Sequence, residues 1–183
     1  MEFKKHKSKI IILTGKAQSG KSLTANIIKK NLEKQNKKTV IISYAKYLKD
    51  YAKEITNWNG NEKTKPREFL QQIGVELIKN QIDENMLINR IKEDIKVYEY
   101  FFDVIIISDA RFKSEIENIK NKNTVVIKIE GKENKLTKEQ KNHSTETALD
   151  NCNNYDYIIE NKTTKQNLKE QIQKIMEETK WKN

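Results

Sequence analysis

The sequence has a single cysteine, Cys152, which excludes an intrachain disulfide and fits a reducing cytoplasm. No apolar run approaches the roughly 20 residues that a membrane helix needs. A membrane-spanning segment is therefore not expected. The stretch from Met1 to Lys9 is basic but leads into an apolar run of four residues, too short for the core of a signal peptide. Glycine occurs five times and proline once, so each marks a place where the backbone has a special requirement. Of the two histidines, His6 lies in a basic tail over residues 1–8, which leaves His143 as the one placed near candidate chemistry.

Hydrophobic residues make up 36% and charged residues 34%, which implies a modest core under a heavily charged shell. The apolar residues recur with clear periodicity, so the chain folds. At 183 residues it fits one domain. The net charge is 36 − 26 = +10, a surplus that suits nucleic acid, a membrane surface or small anionic ligands. The lysines are spread along the chain with no aromatic-interleaved stripe, so nucleic acid is not the expected partner. Arginine is informative here because it is scarce. Arg67, Arg90 and Arg111 are the three in the chain, and a planar guanidinium grips phosphate with two parallel hydrogen bonds, as lysine cannot.

Short apolar runs alternate with amphipathic stretches, the pattern of a parallel α/β sheet. Strands are predicted at Ile10–Leu13, Thr39–Ser43, Val104–Ile107, Thr124–Ile129 and Tyr155–Ile159. A helix is predicted from Lys21 to about Lys34, with Leu23, Ile27 and Ile28 inward, and another over Tyr44–Ile55. Thr56–Lys65, with Trp58 and Gly60, reads as a polar loop. Pro66 suits the first turn of a helix whose apolar stripe is Leu70, Ile73, Leu77 and Ile78. Leu87, Ile91, Ile95 and Tyr98 mark a helix over about 84–100, and Phe112, Ile116 and Ile119 the next. Gly131–Asn142 is polar and without apolar period. Thr163 and Gln166 form a capping box for a terminal helix bearing Leu168, Ile172, Ile175 and Met176. This gives five strands with helices on both faces.

Between the first strand and the first helix lies Gly15-Lys16-Ala17-Gln18-Ser19-Gly20-Lys21-Ser22, a match to the phosphate loop G-x-x-x-x-G-K-[ST]. The glycines let backbone N–H groups turn inward at phosphates, Lys21 reaches the β- and γ-phosphates, and the Ser22 hydroxyl suits Mg²⁺. Asp109 ends a buried strand beside this loop, where Mg²⁺ wants an outer ligand; as a rival role it caps the helix at Phe112. Arg111 is placed to grip a transferring or acceptor phosphate. Arg67 opens a helix after Pro66, which suits an anionic acceptor as well as a solvated helix end. Arg90 lies mid-helix and ranks last. His143 either touches substrate or is structural. Lys132, Lys135, Lys138 and Lys141 mark a segment that either closes over the nucleotide or remains a solvated loop.

Four further stretches carry a resemblance. Tyr44-Ala45-Lys46-Tyr47-Leu48-Lys49 is similar to a segment written F-A-x-x-L-K, and Arg67-Glu68-Phe69-Leu70-Gln71-Gln72-Ile73-Gly74 to R-x-x-L-Q-x-x-G. Asp109-Ala110-Arg111-Phe112 is similar to D-x-R-F, and His143-Ser144-Thr145-Glu146 to H-x-S-E. Together with the loop, these make the chain resemble the deoxynucleotide monophosphate kinases of phages and bacteria, in the nucleoside monophosphate kinase branch of P-loop proteins. The resemblance implies a three-layer α/β/α fold with a five-stranded parallel sheet in the order 2-3-1-4-5 and a short lid at about 131–145. It implies ATP as donor, Mg²⁺ as cofactor and a (deoxy)nucleoside monophosphate as acceptor. Lys21, Arg111 and Asp109 become the catalytic candidates. Lys49, Arg67, Gln71, Arg111 and His143 become the acceptor-binding ones, with Ser22 and Asp109 at the metal. Two departures are plain. Lys46 and Tyr47 stand where the family carries aspartate and proline, and Glu130-Gly131 stands where it often has Glu-Arg.

The expected reaction is phosphoryl transfer from ATP to a monophosphate, in the cytoplasm, with a homodimer left open. Dephospho-CoA or phosphomevalonate as acceptor is the nearest alternative, and a basic nucleic-acid-binding ATPase the alternative of another class. A GTPase switch fits poorly. Asn161-Lys162-Thr163-Thr164 lacks the aspartate that reads guanine, and Phe112 occupies the glycine place of D-x-x-G.

Overall fold

Isoleucine-rich runs form the centre of the molecule, where β-branched side chains pack on both faces of a pleated surface. The computed structural model describes residues 3–132 and 136–179. Its strands are β1 (Lys9–Thr14), β2 (Thr39–Ile42), β3 (Val104–Ala110), β4 (Thr124–Gly131) and β5 (Tyr157–Asn161). All pair in parallel in one sheet, in the order β2-β3-β1-β4-β5, as expected for this fold class. The helices are α1 (Lys21–Lys34), α2 (Ala45–Thr56), α3 (Arg67–Gln71), α4 (Met86–Tyr98), α5 (Lys113–Glu117), α6 (Lys138–Asn142), α7 (Ser144–Thr147) and α8 (Lys165–Glu178). A 3₁₀ turn spans Glu62–Thr64, and α3 runs on as a π-helix over Gln72–Ile82.

The two faces of the sheet follow from the period of two along each strand. Ile11, Leu13, Ile106, Ile127 and Ile129 pack against α1 and α8 through Ile28, Leu32, Leu168 and Ile172. Ile10, Ile12, Ile105, Ile107 and Val126 pack against α4 and α5 through Ile88, Ile91, Ile95 and Ile116. A smaller cluster joins α2 and α3 through Ala52, Trp58 and Leu70. Leu70 of this cluster, with Leu48 packed against it, lines the cavity described below. No helix among the described residues is long and apolar enough to cross a membrane.

Several local expectations shift, each for a stated reason. Leu23 is 38% exposed, because α1 turns Thr24, Ala25 and Ile28 inward in its place. Leu77 is 42% exposed. The i→i+5 bonding of the π-helix lengthens the repeat, so Leu70, Gly74 and Ile78, four apart, share the inner side. Trp58 is buried, not part of a solvated loop: the chain folds back so that its Nε1 donates to the Asn61 carbonyl at 3.0 Å. Phe112 precedes α5 instead of belonging to it, with Lys79 Nζ 3.5 Å above its ring. Thr164, one residue later than expected, caps α8 by accepting from Asn167 N–H. Gly131 extends β4, and the polar stretch after it contains α6, capped by the Thr137–Gln140 box. Lys135 lies outside the described residues, as do Met1 and Glu2 of the basic tail. The rest of that tail docks on the turn between α4 and β3 through Lys5–Glu99 at 2.8 Å and His6–Asp103 at 3.4 Å.

β3 pairs on both sides and carries side chains into both cores, so a cavity there has little room to collapse. Ile106→Ala is expected to cost about 2–5 kcal/mol, read as a lower urea midpoint with an unchanged slope.

Candidate active site

The loop from Gly15 to Gly20 is held from three directions. Gly20, which caps α1, has φ 99°, a conformation that an L side chain rarely adopts, and a Cβ there would strike the Asn161 amide. Asn161, at the end of β5, donates from Nδ2 to the Ser19 carbonyl at 2.9 Å. On the β4 side Gly131 meets the loop backbone so closely that a Cβ would collide with Ser19 Cα. This explains a departure seen in the sequence. At Gly131 a side chain, arginine included, has no space unless the phosphate loop moves.

Lys21 is buried, and its Nζ donates to the carbonyls of Gly15 and Lys16, both at 2.7 Å. Burial lowers its pKa to about 7; Arg111 pushes the same way, while Glu146 and Asp109 oppose. Ser22 is exposed in the first turn of α1 and lines the larger cavity beside the loop.

Asp109 does not cap the helix after Phe112. Its Oδ1 accepts from Tyr44 N–H and its Oδ2 from Ala45 N–H, each at 2.9 Å, so it caps the start of α2. Burial raises its pKa, against the pull of those two N–H groups and of Arg111 and Lys21. The cap after Phe112 is Glu115. Its carboxylate accepts from Arg111 N–H at 2.6 Å and Phe112 N–H at 3.1 Å, and so shapes the turn from which the Arg111 side chain leaves. Burial raises the Glu115 pKa to about 7, helped by Asp109 and opposed by the Arg111 and Phe112 N–H groups and Lys79.

Two cavities flank the loop. The larger, about 500 Å³, is lined by Gln18, Gly20, Lys21, Ser22, Lys49, Lys65, Arg67, Gln71, Asp109 and Arg111, with Leu48, Leu70, Gly74 and Val75 as its apolar side. Five cations (Lys21, Lys49, Lys65, Arg67 and Arg111) face three acids (Asp109, Glu115 and Glu146), a surplus suited to an anionic ligand. The second, about 410 Å³, is lined by Gly15, Lys16, Ser19, the end of β4 and, on either side of β5, Tyr155 and Lys162. Ala17, Arg111, Thr145 and Glu146 line both. Arg67 stands exposed on the rim of the larger cavity, and Lys49 and Lys65 share Glu62 at 3.3 and 3.2 Å. Gln71 donates to Thr145 Oγ1 at 3.3 Å. His143 lines neither cavity; it caps α7, its Nδ1 accepting from Thr145 N–H. Arg90 lies within α4, 3.9 Å from Glu93.

Sequence reasoning overlooked Lys65, Glu115 and Glu146. The signal for Lys65 was its place just before Pro66 and Arg67. For Glu146 it was the fourth position of a motif read for its histidine. Glu115 had no sequence signal beyond its spacing from Phe112. Among the described residues no group of three or more His, Cys, Asp or Glu side chains gathers to hold a metal. A Mg²⁺ held largely by phosphate oxygens and water needs no such cage. The Ser22 hydroxyl and the Asp109 carboxylate, lining one cavity, fit that requirement.

Residues 33–172 match the model of the family described as deoxynucleotide monophosphate kinase. The match begins beyond the phosphate loop, so motif and family are independent observations. Among solved structures, an APS kinase mutant of Mycobacterium tuberculosis is 12% identical, with 94% of this chain and 98% of that chain covered and a TM-score of 0.54. A dephospho-CoA kinase from Campylobacter jejuni is 20% identical, with 93% and 96% covered and a TM-score of 0.50. These likenesses are of fold. No curated protein matches the sequence.

Two outcomes follow from this geometry. Gly131→Ala must push the loop away at an overpacking cost of about 1–3 kcal/mol, so inorganic tripolyphosphate should bind more weakly while the circular dichroism of the sheet is unchanged. Glu115 binds its proton more tightly folded than unfolded, so its contribution to stability falls as pH rises from 4.5 to about 7. Glu115→Gln should remove that fall, seen by comparing unfolding midpoints of variant and wild type across this window.

Proposed function

The chain belongs to the deoxynucleotide monophosphate kinase family and is a phosphotransferase, and from that premise we propose that it moves the γ-phosphoryl group of Mg-ATP onto the phosphate of a (deoxy)nucleoside monophosphate. The observation that carries the reading is the larger cavity. It gathers Lys21 and Ser22 of the phosphate loop with Lys49, Arg67, Gln71, Asp109 and Arg111, from four separate stretches of chain. The apolar side formed by Leu48, Leu70 and Val75 suits the flat face of a base.

An oxygen of the acceptor phosphate attacks the γ-phosphorus in line as the bond to the β–γ bridging oxygen breaks, and ADP leaves with that oxygen. The acceptor is already anionic, so no strong general base is required. Positioning and charge neutralisation supply most of the acceleration. Lys21 and Arg111 neutralise the oxygens of the transferring group, while Lys49, Lys65 and Arg67 hold the acceptor phosphate. When bound, Mg²⁺ held by Ser22 and Asp109 would neutralise charge between the donor phosphates.

The test is a coupled ADP-release assay with Mg-ATP against ribo- and deoxynucleoside monophosphates, dephospho-CoA and phosphomevalonate. Turnover that depends on a nucleoside monophosphate is expected. Turnover with dephospho-CoA or phosphomevalonate alone, or stimulated by nucleic acid instead, would replace this reading. Lys21→Ala should lower turnover by about two orders of magnitude or more, as loss of a preorganised charge contact does, with the unfolding transition retained.

A further inference from the structure

Glu146 is not required by the phosphate loop motif, yet it ties that loop to the arginine opposite. It lies in α7, 129 residues from Ala17 and 35 from Arg111. Its Oε2 accepts from the Ala17 N–H at 2.6 Å, and its Oε1 from Arg111 Nη1 at 2.7 Å. The same Arg111 nitrogen donates to the Thr145 carbonyl at 3.4 Å. The Glu146 side chain is 4% exposed, against 23% for Arg111. A carboxylate removed from water to that degree persists where charge-assisted hydrogen bonds replace its hydration, and here both oxygens have one. Ala17, Arg111, Thr145 and Glu146 are also the residues common to the two cavities, so this contact is the wall between them.

Glu146 is the more buried partner of the pair, and Arg111 the one with surface left to meet a ligand. An arginine side chain has many rotamers, and fixing one edge of its planar fork orients the other. The backbone of the Arg111 turn is already set by Glu115, so Glu146 supplies the remaining constraint, on the guanidinium itself. Its second oxygen places that constraint in register with the loop.

We propose that Glu146 is a positioning residue for phosphoryl transfer, holding Arg111 and the Ala17 N–H in one clasp so that arginine and phosphate loop are set at a fixed separation before either ligand arrives. This rests on the assignment of Arg111 to the transferring group in the preceding subsection. The clasp also gives α7 a reason to follow α6 so closely: the lysine-rich segment leads directly into the residue that sets the arginine.

The experiment compares wild type, Glu146→Gln, Arg111→Lys and the double variant in three measurements: kcat and KM for ATP, tripolyphosphate binding by calorimetry, and amide exchange over residues 15–18. Glu146→Gln should lower kcat about 10- to 100-fold, the scale of a misplaced catalytic group, with KM changed less than kcat. Loop amides should exchange faster. In the Arg111→Lys background the same change should cost no more than about threefold, because residues that act as a unit are not additive. Unchanged kcat with tighter tripolyphosphate binding would overturn the proposal, since Glu146 would then merely compete with phosphate. So would a loss fully additive with Arg111→Lys, or unaltered exchange of the loop. A chain that transfers to no nucleoside monophosphate sinks the functional reading alone; acceptor-free ATP hydrolysis and loop exchange in the same variants then judge the clasp.

Discussion

The buried ammonium of Lys21 governs the arrangement around it. A lysine at the start of a helix, shielded from water, must find acceptors, and it takes them from Gly15 and Lys16 of its own loop. That closes the loop into a ring, in which the Ala17 N–H is held by Glu146 and the Ser19 N–H by the Lys16 carbonyl. The ring has to rest on something rigid. β1 supplies its stem, while Gly131 and Asn161, at the ends of β4 and β5, form its floor. The sheet order brings these strand ends side by side, so the topology and the loop answer to the same demand.

The acids of the site are satisfied at short range by groups of the chain instead of by solvent. Each acid around the cavity already has partners in the chain: Asp109 holds the start of α2, Glu115 holds the Arg111 turn, and Glu146 holds Arg111 and Ala17. Their carboxylates act on the positions of other groups. The cations Lys49, Lys65 and Arg67 stand on helices and turns outside the central sheet, on the side of α2 and α3. Those elements rest on the small Ala52–Trp58–Leu70 cluster, and the π-helix that continues α3 carries Gly74 against Leu48. The charged wall is thus attached to the fold by the smallest of its three cores.

The legible parts of the sequence were those whose signal is local. Isoleucine runs, a G-x-x-x-x-G-K-S loop and an apolar stripe on α8 depend on neighbours within a few residues, and strand order, core and loop emerged where expected. Errors arose where tertiary contact outvoted the local pattern. Trp58 sits in a polar stretch, yet the α2–α3 cluster gives it a place to bury. Leu77 fits a 3.6-residue stripe, but the helix there is not α. His143, read as either acceptor-binding or structural, has its ring on the first turn of α7, a contact two residues away.

What the sequence by itself determined is the nucleotide-binding scaffold, because loop, flanking strand and helix are contiguous and their chemistry is written in one octapeptide. It also supplied the scarce arginines, two of which, Arg67 and Arg111, line the larger cavity. Only the tertiary structure decided what each acid does. Asp109, Glu115 and Glu146 have their partners 65, 4 and 35 residues away, and their roles follow from which N–H groups and guanidinium the fold turns toward them. It also decided that a side chain at residue 131 would displace the phosphate loop, which lies directly against that backbone.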